Sequence, residues 1–304
     1  MRCQLSYRGV VGDWYRTSAW DEAARADFEQ RLGRARSSRP QYIRIKARAL
    51  WEAGLLDEAV RLFQRMLTEH PGDHFEVAVL ENLADISRVQ GRLGEAEQGY
   101  RDLLSRPYQG RSTTGMANVS LAEVLLDLAR PEEAAAELAR VREDAQTMDT
   151  VTAFYANLFR YELAGARTAG MLGDAEEASS AASAALRLID LPDQYSRHLG
   201  VGRVRTDEAT VALLRSLVAA GPDAASAGLD ARWARLMDGG VRRWRRAWLR
   251  RRTGPRSGRR RPRSALQWLR RERWHEQVLG LQVYGPELGR DVVSRPGAHL
   301  WTGR

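Results

Sequence analysis

His70 and His74 are four residues apart, the spacing at which two imidazoles on one helix face can hold a metal ion. Pro71 and Gly72 lie between them and break that helix. His198 stands beside Arg197 and reads as a surface residue, and His275 and His299 have no recognisable partner. Gly200-Val201-Gly202 is a two-glycine fragment without the strand and helix that a dinucleotide site needs. The stretch 254–261 lacks the Lys-Ser/Thr of a phosphate loop. Carboxylate pairs such as Glu132-Glu133 open predicted helices, where the helix dipole accounts for them. Cys3 is the only cysteine, so neither an internal disulfide nor a multi-cysteine metal site can form. The expectation is a protein that is not an enzyme, with no catalytic set, no metal and no cofactor.

A different chemistry is concentrated near the C-terminus. The net charge of +9 divides unevenly: residues 1–230 carry 28 basic and 34 acidic side chains, and residues 231–304 carry 20 Arg against 5 acidic. From Arg232 to Trp274 there are 17 Arg with five interleaved Trp. The densest part is Arg242, Arg243, Trp244, Arg245, Arg246 and Trp248. Guanidiniums hold phosphates and indoles stack on bases, so this stretch suits non-specific nucleic-acid binding that weakens as salt rises. Two other readings stay open. The segment could dock on the acidic body of the chain or on an anionic membrane surface. It could also lack evolved structure, since Arg, Trp, Gly and Pro are what GC-rich DNA yields in a shifted frame. Gly254, Pro255, Gly258 and Pro262 argue against a long helix, leaving short helices compatible with 231–252 and 264–278.

The body of the chain repeats one phrase. Residues 54–63 read Gly-Leu-Leu-Asp-Glu-Ala-Val-Arg-Leu-Phe, and 91–100 read Gly-Arg-Leu-Gly-Glu-Ala-Glu-Gln-Gly-Tyr. Residues 129–138 and 173–182 repeat the turn, the acidic pair and the small alanine. The intervals are 37, 38 and 44 residues. Self-similarity at this period marks a helical repeat array. Residues 1–17 read as an irregular leader. Asp21 opens a helix with Trp20, Ala24, Phe28 and Leu32 on one stripe, and the stretch 33–40 breaks it. Helix pairs follow at about 41–53 with 57–70, 76–90 with 93–106, 115–128 with 132–145, and 153–172 with 175–190. Thr206 is expected to cap a last helix, Asp207–Ala219, that closes the array. Arg supplies 47 of the 48 basic residues and Lys46 is the only lysine, a bias that follows GC-rich coding. The first twenty residues hold no signal-peptide core, and no run of roughly eighteen apolar residues exists to span a membrane. A cytoplasmic location is expected.

At Gly54, Ala59, Phe63 and Pro71 the phrase resembles the tetratricopeptide repeat, a helix–turn–helix unit. Gly91, Ala96 and Tyr100 match in the second unit, with Leu83-Ala84 on the Leu-Gly pair of its first helix. The third keeps Leu121, Ala122 and Ala134 but has Ala129 where glycine is usual and Leu138 at the aromatic slot. The fourth keeps Gly173 and Ala178, with Ala182 at the aromatic slot. No unit has the early Trp of the family. The style is similar to tetratricopeptide-type proteins of high-GC bacteria. The resemblance covers about residues 40–190 and implies a concave groove lined by the first helix of each pair. Register then puts Gln41, Arg44, Arg48 and Trp51 in the groove, followed by Ala78, Glu81, Asp85 and Arg88. Met116, Val119, Glu123 and Leu126 come next, and then Arg160, Leu163 and Arg167. Such a groove would take an extended segment with acidic and apolar side chains. Trp51 either binds there or packs in the core.

The expected fold is therefore all-α: a tetratricopeptide-like helical-repeat solenoid of about four antiparallel pairs, with leading and capping helices. A largely irregular basic tail follows. The expected segments are 1–37, 38–222 and 223–304. The expected function is a scaffold or adaptor that binds a protein or peptide partner. The alternative is a nucleic-acid-associated protein that binds through the tail.

Overall fold

The computed structural model describes residues 13–36, 38–106, 113–195 and 200–221. The leader before residue 13, His198, His275, His299 and the whole basic segment 223–304, with Arg242, Arg243, Trp244, Arg245, Arg246 and Trp248, lie outside these residues.

Among the described residues the chain is all-helical, with eleven α-helices and no strand. A 3-10 turn at Trp14–Arg16 leads to α1 (Glu22–Arg34). Then come α2 (Arg39–Glu52) and α3 (Leu56–Glu69), and α4 (Glu76–Val89) and α5 (Leu93–Ser105). They are followed by α6 (Ala117–Asp127), α7 (Pro131–Glu143), α8 (Ala145–Thr152), α9 (Tyr155–Leu172), α10 (Ala175–Ile189) and α11 (Glu208–Ala220). No helix among the described residues is long and apolar enough to cross a membrane.

Four connections use one turn. Gly54, Gly91 and Gly173 follow α2, α4 and α9 at φ +81°, +74° and +78°. The next residue's N–H donates back to a carbonyl five residues earlier: Leu55 to Leu50, Arg92 to Ser87 and Asp174 to Ala169, each at 2.9 Å. This left-handed cap consumes carbonyls that the helix end leaves orphaned and turns the chain back on itself. The third unit makes the same bond, Arg130 to Leu125 at 2.9 Å, with Ala129 held at φ +58°. A Cβ in that region costs about 1–2 kcal/mol. Ala129→Gly removes the strain but loosens the unfolded chain by about 0.4–1 kcal/mol. Ala129→Gly is therefore expected to raise stability by about 1 kcal/mol and the melting temperature by roughly 2–4 °C. An unchanged or lower melting temperature would show that the turn is not strained.

Each turn joins two helices that pack face to face: α2 with α3, α4 with α5, α6 with α7, and α9 with α10. The second helix of each pair then packs on the next first helix: α3 on α4, α5 on α6, and α7 on α9. Small residues set the close approach. A Cβ at Gly99 of α5 would lie 2.9 Å from the Cβ of Ala84 in α4. Two apolar clusters run through the stack and meet at α4. Phe28, Trp51, Phe63, Met66, Val79 and Ile86 belong to one, and Ala84, Tyr100, Leu121, Leu125, Leu158 and Ala181 to the other.

The elements differ from expectation in a few places. α2 starts at Arg39, with Pro40 inside the first turn, where a missing N–H costs nothing. α8 was not expected, and it occupies the long third interval. Asp144 starts it by accepting from the N–H groups of Gln146 and Thr147. The cap of α11 is Asp207, not Thr206, because the Asp207 carboxylate accepts from Thr210 N–H at 2.7 Å. Trp14 and Tyr15 of the expected irregular leader pack with Phe28 and Tyr42 in an aromatic group.

Candidate partner-binding surface

The first helices α4, α6 and α9 lie side by side, and charges tie them together. Glu123 of α6 is at the centre. Arg160 of α9 donates to it twice, from Nε at 3.0 Å and Nη2 at 2.6 Å. Arg88 of α4 donates to it from the other side. Arg160 Nη2 also donates to Ser120 Oγ at 2.9 Å. One helical turn on, Arg167 Nη2 donates to Asp127 Oδ1 at 2.8 Å, and Arg88 Nε stands 4.0 Å from Asp127 Oδ2. The result is a seam across three units, with the guanidiniums half-buried and the Glu123 side chain only 8 % exposed. Burial alone would raise the Glu123 pKa, but the Arg160 and Arg88 charges together override it and hold it down to about 2.

Beneath the seam, α4 carries two more buried carboxylates. Glu81 accepts from the Thr114 N–H at 2.8 Å and from the Thr114 hydroxyl, which pins the chain ahead of α6. Asp85 accepts from the Tyr100 hydroxyl of α5. Burial raises both carboxyl groups, and the neighbouring Glu81 charge helps push Asp85 up to about 7. Burial and the Asp85 charge push the Tyr100 phenol well above its ordinary value. Ionising Asp85 thus opposes folding. The cost is absent below the unfolded pKa of 3.8, grows as pH rises, and is complete above about 7. Asp85→Asn keeps an acceptor for Tyr100 and removes the charge. It is expected to add about 1–3 kcal/mol at pH 8 and almost nothing at pH 4. Thermal melts across that range check this, and a gain independent of pH would contradict it.

The residues that register placed in a groove divide into three sets. Arg88, Glu123, Arg160 and Arg167 are brought together in the seam, and Glu81 and Asp85 lie behind them. Gln41 and Leu163 are half-buried, and Arg48 is half-buried and donates to Glu52 at 3.0 Å. Arg44 is buried with its guanidinium 4.5 Å from the Phe75 ring centre. Ala78 of α4, Met116 at the start of α6, and Val119 and Leu126 within it are core residues rather than groove residues; α6 is covered on both sides and buries nine of its eleven residues. Trp51 is 2 % exposed and packs in the core, so its ring offers no face to a partner. Asp127, Ser120 and Thr114 belong to the network without having been singled out in the sequence, and Tyr100 was singled out only for its place in the repeat.

Elsewhere, a cleft of about 280 Å³ lies between α3, α4 and α5, walled by Val60, Leu80 and Leu83. Its rim charges pair with nearby acids, Arg92 with Glu95 and Arg106 with Glu76. His70 and His74 lie in the turn between α3 and α4. Among the described residues no group of three or more His, Cys, Asp or Glu side chains is arranged to hold a metal ion. Neither a protein-family model nor a curated protein sequence matches this chain.

Proposed function

We propose that this protein is an interaction scaffold of tetratricopeptide-like architecture, which binds an extended acidic peptide segment along the face made by α4, α6 and α9. The observation that carries the reading is the seam. It brings Arg88 of α4 together with Arg160 and Arg167 of α9 around Glu123 and Asp127, each arginine side chain keeping 13–27 % of its surface exposed. A guanidinium carries five N–H donors, and Arg88 spends one on Glu123, so a partner carboxylate can be added without breaking the seam. The four equivalent turns support the solenoid architecture, since one repeated cap sets one repeated angle between units.

The test is selection of random displayed peptides on the immobilised full-length protein. Enrichment of Asp- and Glu-bearing peptides is expected. Arg167→Glu should weaken their binding at least about tenfold. Its melting temperature should fall by only a few degrees, because the Arg167–Asp127 pair is partly exposed and water screens the new Glu against Asp127. No enrichment, or binding that survives Arg167→Glu, would contradict the reading. The composition of 232–274 favours the second reading, nucleic-acid binding. That reading holds instead if the full chain binds single-stranded DNA with steep salt dependence and Arg167→Glu leaves this unchanged, while Arg242→Glu with Arg246→Glu removes it.

A further inference from the structure

Glu81 and Asp85 stand one helical turn apart on α4, the spacing that puts two side chains on one helix face. They are 4 % and 3 % exposed. Two carboxylates held this close and this dry ionise together only at a large cost, so the pair keeps one proton where isolated acids have lost theirs. Their partners decide which of the two keeps it. Burial raises the Glu81 carboxyl, but two Thr114 donors and then the Arg160 and Arg48 charges favour its ionised form. Asp85 accepts one hydrogen bond, from the Tyr100 hydroxyl, and faces the Glu81 charge. The proton therefore resides on Asp85, which burial and then Glu81 push up to about 7.

The charges around Asp85 are those of the binding face. Arg88 follows it on α4, and Arg160 reaches it from α9; both attract its ionised form. α6 brings Glu123, held between the same two arginines. α5 contributes the Tyr100 phenol, and α2 contributes Arg48 on the Glu81 side. α3 meets α4 through Phe63 and Met66, in the apolar cluster with Val79 and Ile86. Below neutral pH, Asp85 is uncharged and the guanidiniums act on a ligand. Above it, a negative charge appears behind Arg88 and Arg160, where water screens it poorly. That charge offsets part of the field that attracts a peptide carboxylate. We propose that Asp85 is a proton switch for this face, which binds acidic segments tightly below neutral pH and weakly above it. The proposal rests on the peptide-binding reading of the Arg seam. By linkage, a bound anion favours the protonated carboxyl, so binding near neutral pH takes up a proton.

The test is calorimetric titration of the full-length protein with capped hexaglutamate at pH 6, 7 and 8 and constant ionic strength. The peptide's own carboxylates stay ionised over that range. Kd should rise about tenfold from pH 6 to pH 8, the effect of one charge across roughly 10 Å at an effective dielectric constant of about 20. Titrations at pH 7 in two buffers of different ionisation enthalpy should show net proton uptake. Asp85→Asn should bind at every pH as the natural protein does at pH 6, without proton uptake. A Kd that is flat from pH 6 to pH 8, or a slope and proton uptake that survive Asp85→Asn, would overturn the switch and leave the binding face standing. No binding at any pH, or binding that Arg167→Glu leaves intact, would overturn the binding face and the switch with it.

Discussion

Glu123→Gln should cost roughly 3 kcal/mol at pH 7, at the lower end of the range for breaking a buried ion pair. Glu123 is a buried carboxylate that two guanidiniums share, and the Arg160 side chain is itself only 13 % exposed. Removing the charge leaves Arg160 and Arg88 desolvated without their counter-charge, and an amide cannot replace a bidentate carboxylate. The melting temperature should fall by roughly 6–12 °C for a folded region of this size. The deficit should depend on pH in a definite direction. Glu123 has a folded pKa of about 2 against 4.5 unfolded, so its stabilisation is complete above 4.5 and lost as pH falls toward 2. The variant and the natural protein should therefore converge on acidification. Melts at pH 7 and pH 3 measure this. Equal melting temperatures at pH 7 would mean that the seam does not couple the units.

Lys46→Arg, a conservative change on paper, should cost about 1–3 kcal/mol, the range for overpacking a filled site. Lys46 is 1 % exposed. Its ammonium donates to the Thr17 carbonyl at 2.7 Å, the Ala19 carbonyl at 2.9 Å and the Thr17 hydroxyl at 3.1 Å. It also lies 5.1 Å from the Trp20 ring centre and 5.8 Å from that of Phe28. Three acceptors converge on one point, which a compact ammonium satisfies and a planar fork does not. Burial lowers the Lys46 pKa, partly offset by Asp27. The substitution should free residues 13–20 from α2, seen as faster amide exchange there and a lower melting temperature. Unchanged exchange would show that the aromatic contacts alone hold that segment.

Lys46 also shows how a sequence reading can pass over a structural position. Being the only lysine among 47 arginines was visible and was read as coding bias, since nothing local shows which acceptors surround it. The helices themselves were legible. Apolar spacing and turn glycines placed α3, α5, α7 and α10 within a few residues, because a repeat states each boundary several times. Ala129 was legible as a departure, and its positive φ follows from that place in the register. Trp51 was open between partner and core, since a helix position alone does not say how many sides are covered. The seam was hidden because Arg88 and Glu123 are 35 residues apart and Arg160 lies 37 beyond Glu123. Those separations are close to the repeat period, the one signal that could have joined them. α8 carries too few apolar residues to stand out, with Val151 alone buried.

The most direct test of the central claim is hydrogen exchange of the full-length protein with and without an acidic peptide obtained by selection. The expected footprint is added protection within 82–89, 119–127 and 158–168, the stretches that carry the Arg seam, with α1 and α3 unchanged. Protection confined to other helices, or no change at a saturating peptide concentration, would contradict a binding surface on α4, α6 and α9.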